Sequence, residues 1–344
     1  TLSSSSWSPA AAGQSGSVTV TSNATDFVWT AVSNNPWITV TSGASTTGSA
    51  TATGSEKTIG SGSTISTTTG GGSKVSFAAG TSGTTNRSGA RFGPQAIRQA
   101  RRMLVDGAHP GTRAEPAKLD LADVGDFAIA LGETAASLAL IEQQAAPFGH
   151  LVTLGGDHAI TLPLLRAVVK RHGAVGLVHF DAHVDTWPDS FGQFYGHGSV
   201  FYHAINEGLV DPKRMIQVGI RSPVQTDVMD WTLGKGVTVI DAETVHSAAP
   251  AAIAAPIRGV VGDGPTYLSF DIDALDPAFA PGTGTPEIGG LATWQAQAIV
   301  RRLAGIRFVG MDVVEVAPPY DTAEITALAA ATMAWEYLAL RARA

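Results

Sequence analysis

Cysteine is absent from the 344 residues, and with it go disulfides, thiolate nucleophiles and sulfur-ligated metals. No run of about 18 apolar residues occurs without charge, so no membrane span is expected. Basic clusters are missing too. Against 29 Asp and Glu stand 22 Lys and Arg, a formal charge of −7 that disfavours nucleic acid as a partner and suits a small cationic ligand. The opening residues from Thr1 lack the charged and apolar regions of a secretion signal, which fits a processed or truncated start; the absence of cysteine leaves the compartment open, and the location is expected to be cytoplasmic.

Charge is unevenly scarce. Residues 1–88 hold five charged side chains (Asp26, Glu56, Lys57, Lys74, Arg87) and no histidine, whereas all nine histidines lie beyond. That shift predicts a Ser/Thr/Gly-rich extension, residues 1–74, β or irregular, ahead of a catalytic domain spanning 75–344. Short β-prone runs such as SGSVTVTS and PWITVTSG punctuate the extension. Its run FVWTAVSNNPWITVTSG resembles the small β-sandwich modules of the BACON type.

From residue 89 apolar strands alternate with amphipathic helices. Pro94 opens a helix through IRQARRML, Pro being favoured in the first turn. Strands are then expected at 150–154, 175–180, 214–220, 237–241, 266–271 and 307–313. Helices are expected at 160–172, 199–208, 224–232, 248–261, 292–304 and 323–341. Such alternation predicts a three-layer α/β/α fold around a mainly parallel sheet, whose site forms outside the carboxyl ends of the strands.

Every candidate ligand falls at such an end. In VHFDAHVD the residues Asp181, His183 and Asp185 alternate along an extended chain, so their side chains point the same way. HLVTLGGDH delivers His158 after two glycines, and TYLSFDID delivers Asp271 and Asp273. Two imidazoles and four carboxylates exceed the three protein ligands usual for one catalytic zinc. They suit two divalent ions, and the oxygen-rich set favours manganese, with nickel, iron or cobalt as alternatives.

Two further residues complete a mechanism. Glu315, past the apolar strand FVGMDVV, can grip a planar cation, and His197 in the Gly-flanked loop YGHGS is a candidate proton shuttle. Trp187, Phe191, Phe194 and Tyr195 either wall the pocket or pack beside it.

With GARFGPQAIR, GGDH, DAHVD, HGS, SFDIDALDPAFAPGTGTPE and VGMDVVEVAPP in view, residues 83–342 resemble the ureohydrolases of the arginase and agmatinase superfamily, agmatinases above all. The resemblance implies an arginase/deacetylase-like fold, two Mn2+ per subunit and a homotrimer or homohexamer. It implies His158, Asp181, Asp185 and Asp271 around one ion, and His183, Asp181, Asp271 and Asp273 around the other, with Asp181 and Asp271 bridging. His197, Glu315 and Asp185 would be the catalytic groups and Asp157 an orienting neighbour. The implied reaction converts agmatine to putrescine and urea, with guanidinobutyrate, guanidinopropionate, guanidine or a biguanide as alternative substrates. Arginases are similar to one another in an Asn soon after D-x-H-x-D, and none follows here. A single-zinc deacetylase-like enzyme and a catalytically silent subunit are the other readings. Where such enzymes carry a GVPFD-like segment this chain has KVSFAAG, in which Val75 to Ala79 is expected to supply the first strand.

Overall fold

The computed structural model describes Ser15–Val20, Ile38–Val40, Gly48–Gly54, Lys74–Ala78 and residues 85–104 and 107–343. The chain divides into two compact units, Thr1–Thr68 and Thr69–Ala344. In the smaller unit, β1 (Ser15–Val20), β2 (Ile38–Val40) and β3 (Gly48–Gly54) form an antiparallel sheet with β3 central. The run likened to a β-sandwich module lies outside the described residues except for β2.

The larger unit runs β4 (Lys74–Ala78), α1 (Gly93–Ala100), β5 (Ala122–Phe127), α2 (Thr134–Ala145), β6 (Leu151–Gly155), α3 (Thr161–His172) and β7 (Val175–Phe180). It continues with α4 (Val200–Asn206), β8 (Val210–Ile220), α5 (Thr226–Lys235), β9 (Thr238–Asp241), α6 (Ala242–Ser247) and α7 (Pro250–Val261). β10 (Thr266–Asp271), α8 (Thr293–Arg301), β11 (Phe308–Val314) and α9 (Ile325–Arg341) complete it. All eight strands pair in parallel, in the order β5-β4-β6-β11-β10-β7-β8-β9.

Burial on both faces explains the apolar runs. Every residue of β6, β7, β10 and β11 is buried. Val178, Phe180, Leu268, Phe270, Met311 and Val313 pack on one side with residues of α1 and α6 to α9. Leu177, Tyr267 and Val309 face the other side with α2, α3 and α4. Three layers result, as alternation of strand and helix requires.

Several expectations shift in detail. The expected first strand is β4, which pairs with both β5 and β6. β5 and α2 were not expected at all, nor was the short α6; the helix expected over 248–261 is α7, which begins at Pro250. The short α6 is capped by Asp241, whose carboxylate accepts from Thr244 N at 2.7 Å. β8 begins four residues before its expected start, with Pro212 near its opening, where a missing N–H is tolerated.

Candidate metal centre

The strand order sets β6, β11, β10 and β7 side by side, so their carboxyl ends place His158, Glu315, Asp271 with Asp273, and Asp181 with His183 and Asp185 around one point. Gly155 lets this edge close. A Cβ there would lie 2.8 Å from Val314 Cγ1, nearer than carbon atoms approach.

His158 Nδ1 faces three carboxylate oxygens, at 2.9 Å from Asp185, 3.2 Å from Asp271 and 3.4 Å from Asp181. Its other nitrogen lies 2.9 Å from Ser269 Oγ, and Ser269 donates its one proton to Asp312 Oδ1 at 2.7 Å. Ser269 therefore accepts from His158 Nε2–H. Thr161 Oγ1 donates to the second Asp312 oxygen at 2.9 Å, which locks the relay. The tautomer so fixed aims the Nδ1 lone pair at three acceptors, an arrangement that needs a proton or a metal ion between them.

His183 Nδ1 stands 3.2 Å from both Asp181 Oδ1 and Asp273 Oδ2. Asp181 thus offers one oxygen toward each histidine. Backbone amides hold the carboxylates in place: His183 N donates to Asp181, Ala182 N to Asp273 and Asp273 N to Asp271, at 2.6, 3.0 and 2.9 Å. Arg221 ties the β10 loop to the GTGTPE segment by donating to the carbonyls of Asp273 and Glu287, each at 2.7 Å.

Electrostatics single the cluster out. Burial, then repulsion from Asp273 and Asp181, pushes the Asp271 carboxyl well above its usual range, and burial with Asp181 raises Asp273. Burial alone would depress the imidazoles. Facing carboxylates override it, lifting His158 well above normal and His183 to about 12. Asp181 goes the other way, held well below its usual range against burial by His179, His158 and His183. A divalent cation would replace the imidazolium protons and relieve the repulsion, so these residues fit metal ions.

A second group adjoins the first. Asp157, His197 and Glu315 offer atoms within 4.8 Å of one another. Glu315 Oε1 accepts from His158 N at 2.7 Å and lies 3.6 Å from His197 Nδ1, while Glu315 Oε2 and Asp157 Oδ2 are buried without a partner. Burial and then Glu315 raise Asp157 to about 6; Glu315, Asp157 and Asp185 outweigh burial at His197 and raise it to about 9. Asp185 and Glu315 also hold left-handed backbones, φ 50° and 65°. For non-glycine residues such conformations are strained by roughly 1 kcal/mol or more and concentrate where function fixes geometry.

A cleft of about 570 Å³ opens onto both groups, lined by Trp187 and Phe191 among others. Phe194 and Tyr195 stand aside from it. They pack edge to face at 4.8 Å and against His203 at 4.3 and 5.3 Å, which decides the aromatic alternative for that pair.

His179 escaped the sequence reading. It is fully buried in β7, and its Nε2 lies 2.7 Å from Asp181 Oδ2. Gln217 Nε2 donates both to Val184 O at 2.6 Å and to His179 Nδ1 at 3.1 Å, leaving Nε2–H to donate to Asp181. The signal was available, since His179 continues the two-residue alternation of Asp181, His183 and Asp185.

Residues 75–339 match the arginase family model. The chain belongs to the arginase family. It is therefore a ureohydrolase, a metal-dependent amidinohydrolase that acts on small guanidino compounds. It is 46% identical over 262 residues to a guanidinobutyrase from Pseudomonas aeruginosa, covering 74% of this chain and 82% of that one. An agmatinase from Cronobacter sakazakii is 45% identical over 265 residues, 75% of this chain and 84% of the relative. A crystal structure described as a hypothetical agmatinase from Burkholderia thailandensis superposes with a TM-score of 0.75 and 44% identity, over 80% of this chain and 87% of that one. Among the described residues no helix is long and apolar enough to cross a membrane.

Proposed function

We propose that this enzyme hydrolyses agmatine to urea and putrescine at a pair of manganese ions. The observation that carries the metal assignment is the His158 Nδ1 lone pair set against three buried carboxylate oxygens. His158, Asp181, Asp185 and Asp271 would hold one ion, and Asp181, His183, Asp271 and Asp273 the other. The hard oxygen-rich donor set favours manganese, with nickel as the main alternative. When bound, such a pair supplies a strong nucleophile from water at neutral pH.

The remaining groups serve the substrate. The unpartnered Oε2 of Glu315 fits a guanidinium N–H, and Glu315 with the raised Asp157 makes a negative end wall for that planar cation. His197, whose pKa the Glu315 carboxylate raises against burial, faces the same point through Nδ1 and can deliver a proton to the departing amine. Water thus adds at the guanidino carbon, the carbon–nitrogen bond breaks, and the alkylamine leaves protonated. Asp185 couples the two groups, its carboxylate lying 2.9 Å from His158 Nδ1 and its field acting on His197.

The tail of the substrate is read at the cleft mouth. Its described lining includes Asp189 and Asp227 and no Lys or Arg. A cationic ammonium tail suits that lining, whereas the carboxylate of guanidinobutyrate would be repelled there. Two complete ligand groups also speak against a single-zinc deacetylase and against a silent subunit. A cytoplasmic homotrimer or homohexamer goes with this reading.

Urea release by manganese- and nickel-loaded protein should be assayed with agmatine, guanidinobutyrate, guanidinopropionate, arginine, guanidine and a biguanide. Agmatine should have the highest kcat/KM. Preference for guanidinobutyrate would overturn the tail assignment, and fewer than two ions per active subunit would overturn the metal pair.

A further inference from the structure

We infer that Thr85 is a positioning residue for the shuttle histidine, anchoring the face of the His197 ring that points away from the carboxylates. This rests on the hydrolase reading. Thr85 Oγ1 lies 2.8 Å from His197 Nε2, while the opposite nitrogen, Nδ1, faces Glu315. The ring is thus held from both sides, by a carboxylate toward the site and by a hydroxyl toward the cleft, which Thr85 itself lines.

The chemistry of a shuttle explains why a hydroxyl stands there. A charged imidazole donates from both nitrogens, so Nε2–H donates to Thr85 Oγ1. After Nδ1 has given up its proton, Nε2–H is still a donor and the contact persists. Should the remaining proton move to Nδ1, the same hydroxyl turns and donates to the Nε2 lone pair. Thr85 Oγ1 therefore anchors His197 in every protonation state of the cycle. Val cannot do so at any of them.

The segment carrying Thr85 is itself fastened to the site. Asn86 Nδ2 and Arg87 N both donate to Gly284 O, at 3.0 and 3.2 Å, and the Arg87 guanidinium lies 5.1 Å from the centre of the Tyr320 ring. Gly284 belongs to the same GTGTPE loop whose Thr285 donates to Asp273 at 3.3 Å. Thr85 is thereby referenced to the loop beside the metal ligands. Nothing in the motifs around His197 points to a residue 112 positions earlier.

The test compares full-length wild type, Thr85→Val and Thr85→Ser, loaded with manganese and assayed with agmatine across pH 6 to 10. Ion content, melting temperature and the nitrogen resonances of the His197 imidazole are measured on the same samples. Thr85→Val should keep its ions, its melting temperature and its KM within about twofold, and lose roughly 10- to 100-fold in kcat, the scale of a misplaced catalytic group. Its His197 Nε2 resonance should move. Thr85→Ser should recover kcat to within about threefold of wild type.

Unchanged kcat in Thr85→Val, an unmoved Nε2 resonance, or failure of Thr85→Ser to recover would overturn the inference. So would loss of ions or of the fold in Thr85→Val, because the hydroxyl would then serve the scaffold. Absence of urea release by wild type with any guanidino compound would instead defeat the hydrolase reading, and the resonance would still decide whether Thr85 holds the ring.

Discussion

Two buried polar regions of this molecule use the same residue types to opposite ends. On α9, Glu336 is met by Arg301 through Nε at 3.0 Å and through Nη2, by His109 Nε2 at 3.1 Å and by Gln297 at 3.4 Å. His109 Nδ1 accepts from the amides of Gly111 and Thr112, so every partner is matched. One carboxylate, one guanidinium and a set of neutral donors leave no imbalance. At the carboxyl edge of the sheet, four carboxylates face two imidazoles, and Asp157, His158 and Glu315 each carry a buried atom without a hydrogen-bond partner. The first region is complete as it stands, and the second is complete only with cations. Buried charge by itself therefore says little about function; the residual imbalance is what identifies a site.

The largest expected effect breaks the second region. Asp271→Asn should lower urea release by more than about 10³-fold and reduce bound metal, as should His183→Ala. The same Asp271→Asn change should leave the metal-free protein as stable as wild type or more so, because it removes a carboxyl that burial and its neighbours force to hold a proton. Thermal melts with and without manganese check this. A metal-free protein that melted earlier would make the cluster a structural network after all.

Next comes the balanced region. Glu336→Gln should cost about 1–3 kcal/mol of stability, by denaturant titration, because it leaves Arg301 and His109 with a weaker partner. Arg301 is 37% exposed, and its hydration keeps the cost from being larger. Ion content and kcat per folded molecule should not change. A smaller effect, roughly tenfold, is expected from Glu315→Gln, which should raise KM for agmatine while sparing ion content. Unaltered turnover of all guanidino substrates would remove Glu315 from the binding role.

The same contrast explains what was legible in the sequence. The candidate ligands stood out because strand geometry converts a two-residue spacing into a shared direction, and because buried parallel strands read as apolar runs ending in Asp or His. His179 obeyed that spacing but sits inside the run VHF, where a histidine reads as part of the strand. β5 was hidden for the opposite reason. As an edge strand with the sequence ADVGDF it is largely exposed and carries Asp123 and Asp126, so no apolar signal marks it. α2 combines alanines and leucines with little polar contrast between its faces. Thr85 lay beyond reach altogether, because its partner is fixed only when the loops after several strands are assembled.

The smallest effect concerns a third histidine, and it isolates what carboxylates do to the other two. His150, beside α9, is part-buried like His183, but where His183 faces carboxylates it pairs with the Tyr337 hydroxyl at 2.8 Å. Burial, reinforced by Arg341 and His172, drives its pKa down to about 3. The unfolded chain binds a proton near pH 6.5 and the folded chain does not, so stability from this group is intact above 6.5 and declines as pH falls toward 3. One unit below 6.5 the loss is about 1 kcal/mol. His150→Gln should flatten that part of the stability curve between pH 7 and 5, measured by denaturant unfolding, and leave manganese binding untouched. If the slope persisted, burial would not be what holds this imidazole neutral. The opposite shifts of His158 and His183 could not then be credited to their carboxylates alone.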